Sequence, residues 1–156
     1  MINEVLNELN LYFEALTNAP FITHKIRHGV MDDIAKFKWL SESRFLLHIP
    51  FSGSFEMPVF EAMACGVVPI YSEIPCLKEY AVGIPVKVGE LSTVSTVDGV
   101  FYKYAIDKKD VVEAVKYALG LSKDAYEDLS LKAREKAREM DGLTYKKWVE
   151  VLRDFD

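Results

Sequence analysis

An α/β fold with a parallel sheet flanked by helices is predicted by three observations. A buried apolar segment, Arg44–Ile49, is followed by a Ser/Gly-containing loop and a short apolar helix, Met57–Gly66. A second β-rich segment, Val67–Tyr71, comes directly after that helix. Strand, crossover helix and strand in this order form a βαβ unit, whose strands run parallel with right-handed connectivity. The last third of the chain then reads as helical. Such units bind ligands at the carboxyl ends of their strands, where loop meets helix N-terminus; here that loop is Pro50–Met57. Pro58 suits a first helical turn, since its missing N–H would have had no intrahelical partner.

The remaining elements follow in order. Val5, Leu6, Leu9, Tyr12, Phe13 and Leu16 form a helical stripe that predicts a helix over Ile2–Leu16. The cluster Thr17-Asn18-Ala19-Pro20 ends it. Phe21–His28 alternates as a strand, with Ile22 and Ile26 on one face and Lys25 and Arg27 on the other. Gly29 closes that strand, and a helix is expected over Asp32–Leu40. After the βαβ unit, Glu73–Tyr80 is a short helix and Ile84–Val88 a further strand. Val97-Asp98-Gly99-Val100 is a hairpin turn between β-branched and aromatic residues, within a segment spanning residues 91–106. Asp107 caps a helix over Lys108–Leu119, whose core face is Val111, Val112, Val115 and Ala118. A charged helix runs from Ser122 to Met140, Asp141-Gly142 is expected to break it, and Thr144 leads a final helix with Trp148, Val151 and Leu152.

At 156 residues the chain is long enough for one domain with a real core and too short for two of ordinary size. The net charge of −5 and the lack of a basic run give nucleic-acid binding no electrostatic support. Cys65 and Cys76 lie in or near apolar segments without metal-ligand spacing, which fits two reduced thiols and a cytoplasmic location. No signal peptide is evident, and no apolar run approaches the length of a membrane span. His24 and His28 share a strand face but stand about 13 Å apart, too far for one metal. His48 reads as a satisfied strand-end histidine, and a catalytic or metal role for any of the three is not the leading reading.

One residue in the central stretch is anomalous. Glu61 is the single charge between Met57 and Gly66. A carboxylate buried there would need a hydrogen-bonding partner, which a ligand hydroxyl can supply. Equally, Glu61 can mark a solvated face or favour the helix start through the dipole. With this residue in place, the stretch resembles the donor-binding signature of retaining GT-B glycosyltransferases (glycosyl transferases group 1), often written EGFGLPVLEAMACGTPVV. Ser54-Phe55, Met57-Pro58-Val59-Phe60-Glu61-Ala62-Met63-Ala64-Cys65-Gly66 and Val68-Pro69-Ile70 follow that pattern. The resemblance implies that Glu61 holds the ribose hydroxyls of a sugar nucleotide, and that the loop Ser52, Gly53, Ser54, Phe55, Glu56, Met57 and Pro58 lies along the donor. It also implies that His28, Gly29 and Val30 touch the nucleotide base.

Two departures stand out. The family's first glutamate lies eight positions before the second and addresses the transferred sugar; Gly53 occupies that position here. Glu56 stands where the family has a glycine, either supplying the missing carboxylate from a displaced position or crowding the sugar. Ile74 and Pro75 replace glycines of a following loop, and Glu79 matches a family glutamate there.

The resemblance covers roughly Phe21 onward, outside residues 91–106. It implies a Rossmann-like three-layer αβα domain, a single GT-B half of donor-binding type over residues 1–156. Within it lie an N-terminal helix (1–20), a hairpin insertion (91–106) and a helical C-terminal part (107–156). A GT-B enzyme places its active site between two such halves. The implied function is therefore metal-independent sugar transfer from a nucleotide sugar, with an acceptor-binding subunit or a second copy supplying the other wall. A nucleotide-sugar-binding or regulatory module without turnover is the alternative.

Overall fold

The computed structural model describes residues 1–11, 14–16, 25–27, 31–97 and 99–153. In chain order the elements are α1 (Ile2–Glu8), β1 (Glu14–Leu16), β2 (Lys25–Arg27), α2 (Asp33–Ser41), β3 (Phe45–His48), α3 (Met57–Cys65) and β4 (Val68–Ser72). They continue with α4 (Pro75–Lys78), β5 (Ile84–Val86), β6 (Leu91–Thr96), β7 (Gly99–Tyr104), α5 (Lys108–Leu119) and α6 (Lys123–Arg153). Strands β3, β4 and β5 form a parallel sheet in that spatial order. The predicted βαβ unit is present as β3–α3–β4, with Phe45 opposite Val68 and His48 opposite Tyr71.

β4 is the centre of the sheet, and all five of its residues are buried. Its alternation feeds two cores. Val68 and Ile70 join Ile84, Val86, Val111 and Val115 on the face covered by α5 and α1, where Val5 is completely buried. Tyr71 joins Val59, Met63, Leu77 and Ala133 on the face covered by α3, α4 and α6. A parallel sheet needs cover on both sides because its crossover helices pack there. The result is a Rossmann-like arrangement of three layers.

The helix α3 ends at Gly66, which adopts φ +76° in the left-handed region where a side chain is strained. Its N–H bonds the Met63 carbonyl, and Val67 N–H bonds the Ala62 carbonyl, closing the last turn. From α6, the Ser130 hydroxyl donates to the Gly66 carbonyl at 2.5 Å and Arg134 donates to the Cys65 carbonyl at 3.0 Å. The orphan carbonyls at this helix end are thereby satisfied. Elsewhere Asp32 and Asp107 cap α2 and α5 through the N–H groups of Ala35 and Lys109.

Two expectations need correction. The helix predicted over Ile2–Leu16 stops at Glu8, and Glu14–Leu16 is instead a strand paired parallel with Lys25–Arg27. Asn10 takes φ +49°, a conformation asparagine tolerates, and the Leu11 N–H reaches back to the Leu6 carbonyl. This local termination outweighs the continuing apolar stripe. Conversely, Asp141-Gly142 does not break the last helix, which runs unbroken from Lys123 to Arg153. A glycine inside a helix costs about 1 kcal/mol relative to alanine but removes no hydrogen bond. The predicted strand Phe21–His28 is described only at Lys25–Arg27, and Trp148, Val151 and Leu152 lie in α6. The hairpin is as expected, antiparallel with Thr96 opposite Gly99.

Candidate functional site

The loop leaving β3 is tied at several points along its length. The Pro50 carbonyl accepts a 2.6 Å hydrogen bond from Ser72, whose fully buried hydroxyl sits at the end of β4. The Phe51 carbonyl accepts from Tyr104 N–H at 2.8 Å, and Lys103 lies over the Phe51 ring. At the far end, the Tyr80 hydroxyl brackets one residue. It accepts from Glu56 N–H at 3.1 Å and donates to the Glu56 carbonyl at 3.0 Å. Phe55 stacks on the Tyr80 ring with centroids 4.8 Å apart and an interplanar angle of 24°. Between these ties Ser52, Gly53, Ser54 and Phe55 are exposed, as are Met57 and Pro58 at the start of α3. The loop therefore presents itself to solvent at the carboxyl end of the sheet while its ends are held.

Two carboxylates flank it, each with its own nitrogen partner. Glu56 meets His48 at 2.9 Å, joining the loop to the last residue of β3. Its other oxygen folds back over Gly53, occupying the space that a Cβ at position 53 would enter. A glycine at 53 leaves room for the carboxylate of residue 56. Glu61 lies one turn into α3, mostly buried, and accepts a 2.7 Å bond from Lys36 of α2. Lys36 also reaches Asp33 at 3.1 Å. The hydrogen bond to Glu61, then that to Asp33, holds the Lys36 ammonium above its usual range. Glu61 is not on a freely solvated face, since it is mostly buried and paired with Lys36. One of its oxygens is engaged by that contact.

The hydroxyl of Tyr80 is held neutral. Burial is the main cause, and it pushes the phenol up to about 12. Burial likewise raises the thiol of Cys65, which a nearby Glu61 reinforces and Arg134 opposes. Among the described residues no three His, Cys, Asp or Glu side chains converge as a metal site. No helix among them is long and apolar enough to cross a membrane.

The structure brings Ser52, Gly53, Ser54, Phe55, Glu56, Met57, Pro58 and Glu61 into one loop–helix junction. His28, Gly29 and Val30 lie outside the described residues, as do the side chains of Lys25 and Arg27. Two residues at the junction, Lys36 and Tyr80, are not singled out from sequence. Lys36 gives no signal there, being one of several charges on α2. Tyr80 is separated from Glu56 by a whole βα unit. His48, expected as a satisfied strand-end histidine, ends β3 and has Glu56 as its partner.

No family profile matches the chain. It is 33% identical over 118 residues to "Putative glycosyltransferase ORF330" of Acidianus filamentous virus 2, a match covering 74% of this chain and 34% of that protein. It is 30% identical over 139 residues to "Putative glycosyltransferase 48" of Sulfolobus islandicus filamentous virus, covering 88% of this chain and 45% of that protein. A second protein of the same virus, "Putative glycosyltransferase 41", is 38% identical over 114 residues, or 66% of this chain and 32% of its own length. The chain thus spans a third to under half the length of these relatives. A match over 88% of the chain leaves out too few residues at the ends to miss Pro50–Ser72. The chain is similar to part of several viral proteins named putative glycosyltransferases.

Proposed function

We propose that this chain forms the donor-binding wall of a GT-B glycosyltransferase and binds a nucleotide sugar at the junction of the Pro50–Met57 loop with α3. The observation that carries the reading is Glu61, a mostly buried carboxylate on an otherwise uncharged helix directly behind an exposed loop. Lys36 engages one of its oxygens, and the other is assigned to the ribose hydroxyls, where charge-assisted hydrogen bonds are short and strong. The amides of Ser52–Phe55 and the N-terminus of α3 are assigned to the diphosphate, because helix N-termini and successive loop amides bind anions without side-chain cations. Glu56, fixed by His48, is assigned to the transferred sugar in place of a carboxylate at position 53.

In the reaction the bond between the anomeric carbon and the diphosphate oxygen breaks and a bond to an acceptor oxygen forms. The acceptor oxygen's proton passes to the oxygen freed on the departing nucleoside diphosphate. No metal is invoked. A single wall does not exclude water from such a step, so the reading requires a second, acceptor-binding wall.

The test is a titration of the full chain with UDP, GDP, ADP and their sugar conjugates. Wild type binds one nucleotide family, and Glu61→Ala weakens that binding at least tenfold, about 1.4 kcal/mol. Unchanged affinity removes Glu61 from the site. A second reading, a nucleotide-sugar-binding module without turnover, is favoured by Glu56 filling the space at Gly53. It predicts donor binding but no sugar transfer with any partner present.

A further inference from the structure

The two edges of the β3–β4–β5 sheet are built differently. Alternate residues of a parallel ladder direct their N–H and C=O groups to opposite sides. On β5 the Val86 carbonyl accepts from Glu73 N–H at 2.8 Å, so Val86 faces β4 and Pro85 faces outward. Pro85 is exposed and has no N–H to offer, which seals that edge against further pairing. On β3 the Arg44 carbonyl accepts from Val68 N–H at 3.2 Å. Arg44, Leu46 and His48 therefore face β4, while Phe45, Leu47 and Ile49 face away from it. Neither proline nor charge protects Phe45–Leu47.

The outward backbone groups of β3 bond no described residue. Ile49 is only 7% exposed, yet its N–H and C=O are unpaired among the described residues. Buried backbone groups without a partner are rare. The side chains of β3 are half-buried, whereas those of β4 beside it are buried throughout. The other parallel pair, β1–β2, is open as well, since no described strand joins it to β3. Two strands alone are marginal in water, and parallel strands belong to larger covered sheets. One strand between β1 and β3 satisfies both open edges at once. It produces the doubly wound order, with two strands on one side of a central strand and three on the other.

We propose that the β3 edge captures an extended, uncharged strand of another polypeptide, running parallel to β3. Its carbonyls accept from the N–H groups of Phe45, Leu47 and Ile49, and its N–H groups donate to their carbonyls, as in β-strand addition. A strand covered on both faces of a parallel sheet is a continuous apolar run, and Phe45–Leu47 offers no charge for it to meet. A second copy fits less well. Two β3 edges related by a two-fold axis run antiparallel and leave β1–β2 open. The carboxyl end of the captured strand would lie beside the Pro50–Met57 loop, which leaves that same end of β3. Only this last consequence, a partner strand walling the nucleotide crevice, rests on the donor reading above.

Amide hydrogen exchange of the full chain, read residue by residue by NMR, tests the edge without any nucleotide. In the chain alone, Phe45 and Leu47 should exchange at least about tenfold faster than Leu46 and His48, whose amides bond β4. The probe is the acetylated, amidated peptide Lys-Lys-Val-Ile-Val-Val-Lys. At saturation it should slow Phe45 and Leu47 by at least about tenfold. The same peptide N-methylated through its apolar core, or carrying glutamates there, should not. Leu47→Pro puts on β3 the device that Pro85 supplies on β5, and removes an N–H that β4 does not use. Its affinity for the peptide should fall at least about tenfold. Phe45→Pro makes the same test at the other outward position, and far-UV circular dichroism checks that each variant is folded.

The proposal is overturned if Phe45 and Leu47 are already protected in the chain alone. Sedimentation then separates a monomer, in which β1 has closed on β3, from a dimer of two β3 edges. It is also overturned if the apolar peptide gives no protection, or if the N-methylated peptide protects as well. Undiminished affinity in a folded Leu47→Pro or Phe45→Pro chain overturns it too. Loss of nucleotide binding in Glu61→Ala is scored separately, so failure of the donor site and failure of strand capture remain distinguishable.

Discussion

The β3–α3–β4 unit and the β6–β7 hairpin lie side by side in the fold but are held in opposite ways. In the first, β4 is buried along its entire length and α3 is clamped by Ser130 and Arg134. The loop between β3 and α3 is tied by Ser72, Tyr104 and Tyr80. In the second, Leu91, Val94, Val97, Val100, Phe101 and Tyr102 are all at least 40% exposed. The hairpin joins the βαβ unit at its base, through the Tyr104–Phe51 backbone bond and Lys103 over the Phe51 ring. Exposed loop residues on a rigid support are the usual way a fold presents a binding surface. Here the support is the βαβ unit, and the hairpin braces one edge of its loop.

If the contrast is real, truncation in the unit should be far more costly than truncation in the hairpin. Met63 is completely buried on α3 between Val59, Tyr71 and Leu77. Met63→Ala should cost roughly 2–5 kcal/mol of stability, the range for a large core side chain that leaves a cavity. Urea unfolding followed by far-UV circular dichroism measures it directly. A loss below about 1 kcal/mol would mean that the core relaxes around the site, contrary to a rigid support.

How much of this was legible beforehand follows from the range over which each signal acts. The βαβ unit was readable because its strands are continuous apolar runs and its helix carries Pro at the start and Gly at the end, all local features. Asp107 and the α5 core face were readable for the same reason. The end of α1 was not, since Asn10 stops the helix by a backbone choice that competes with an unbroken apolar stripe. The continuity of α6 through Gly142 was missed because a glycine is a weak penalty and sequence alone does not show what surrounds the helix. At the site, Glu61 stood out by its charge. Its partner Lys36 is twenty-five residues away and the Tyr80–Glu56 bracket spans twenty-four, distances over which periodicity carries no information.

That bracket provides the next largest effect. Tyr80→Phe removes a hydroxyl that satisfies both the N–H and the carbonyl of Glu56, and should cost about 1–3 kcal/mol at neutral pH. The effect has a pH signature. The folded chain holds Tyr80 neutral up to about 12, against an ordinary value of 10.0. Between those values the unfolded chain releases the proton while the folded chain keeps it, so stability falls as pH rises. The contribution is fully present below pH 10 and is lost on the order of 2 kcal/mol by pH 12. Tyr71 and Tyr126 are also raised by burial and add to the same decline. The difference between wild type and Tyr80→Phe isolates Tyr80, and that difference should narrow as pH rises from 10. A constant gap would remove the buried phenol as its cause.

The smallest effect belongs to the hairpin. Val100 is 61% exposed, opposite Ser95 in the antiparallel ladder. Val100→Ser loses some β-propensity and almost no burial, and should change stability by no more than about 0.5 kcal/mol. The same substitution should leave the nucleotide titration unaltered, because the bracing contacts lie at Phe51, Lys103 and Tyr104 rather than at the turn. A stability loss comparable to that of Met63→Ala would show that the hairpin faces are covered in solution. The comparison with the βαβ unit would then have to be redrawn, since exposure in the isolated chain would no longer describe the molecule that does the work.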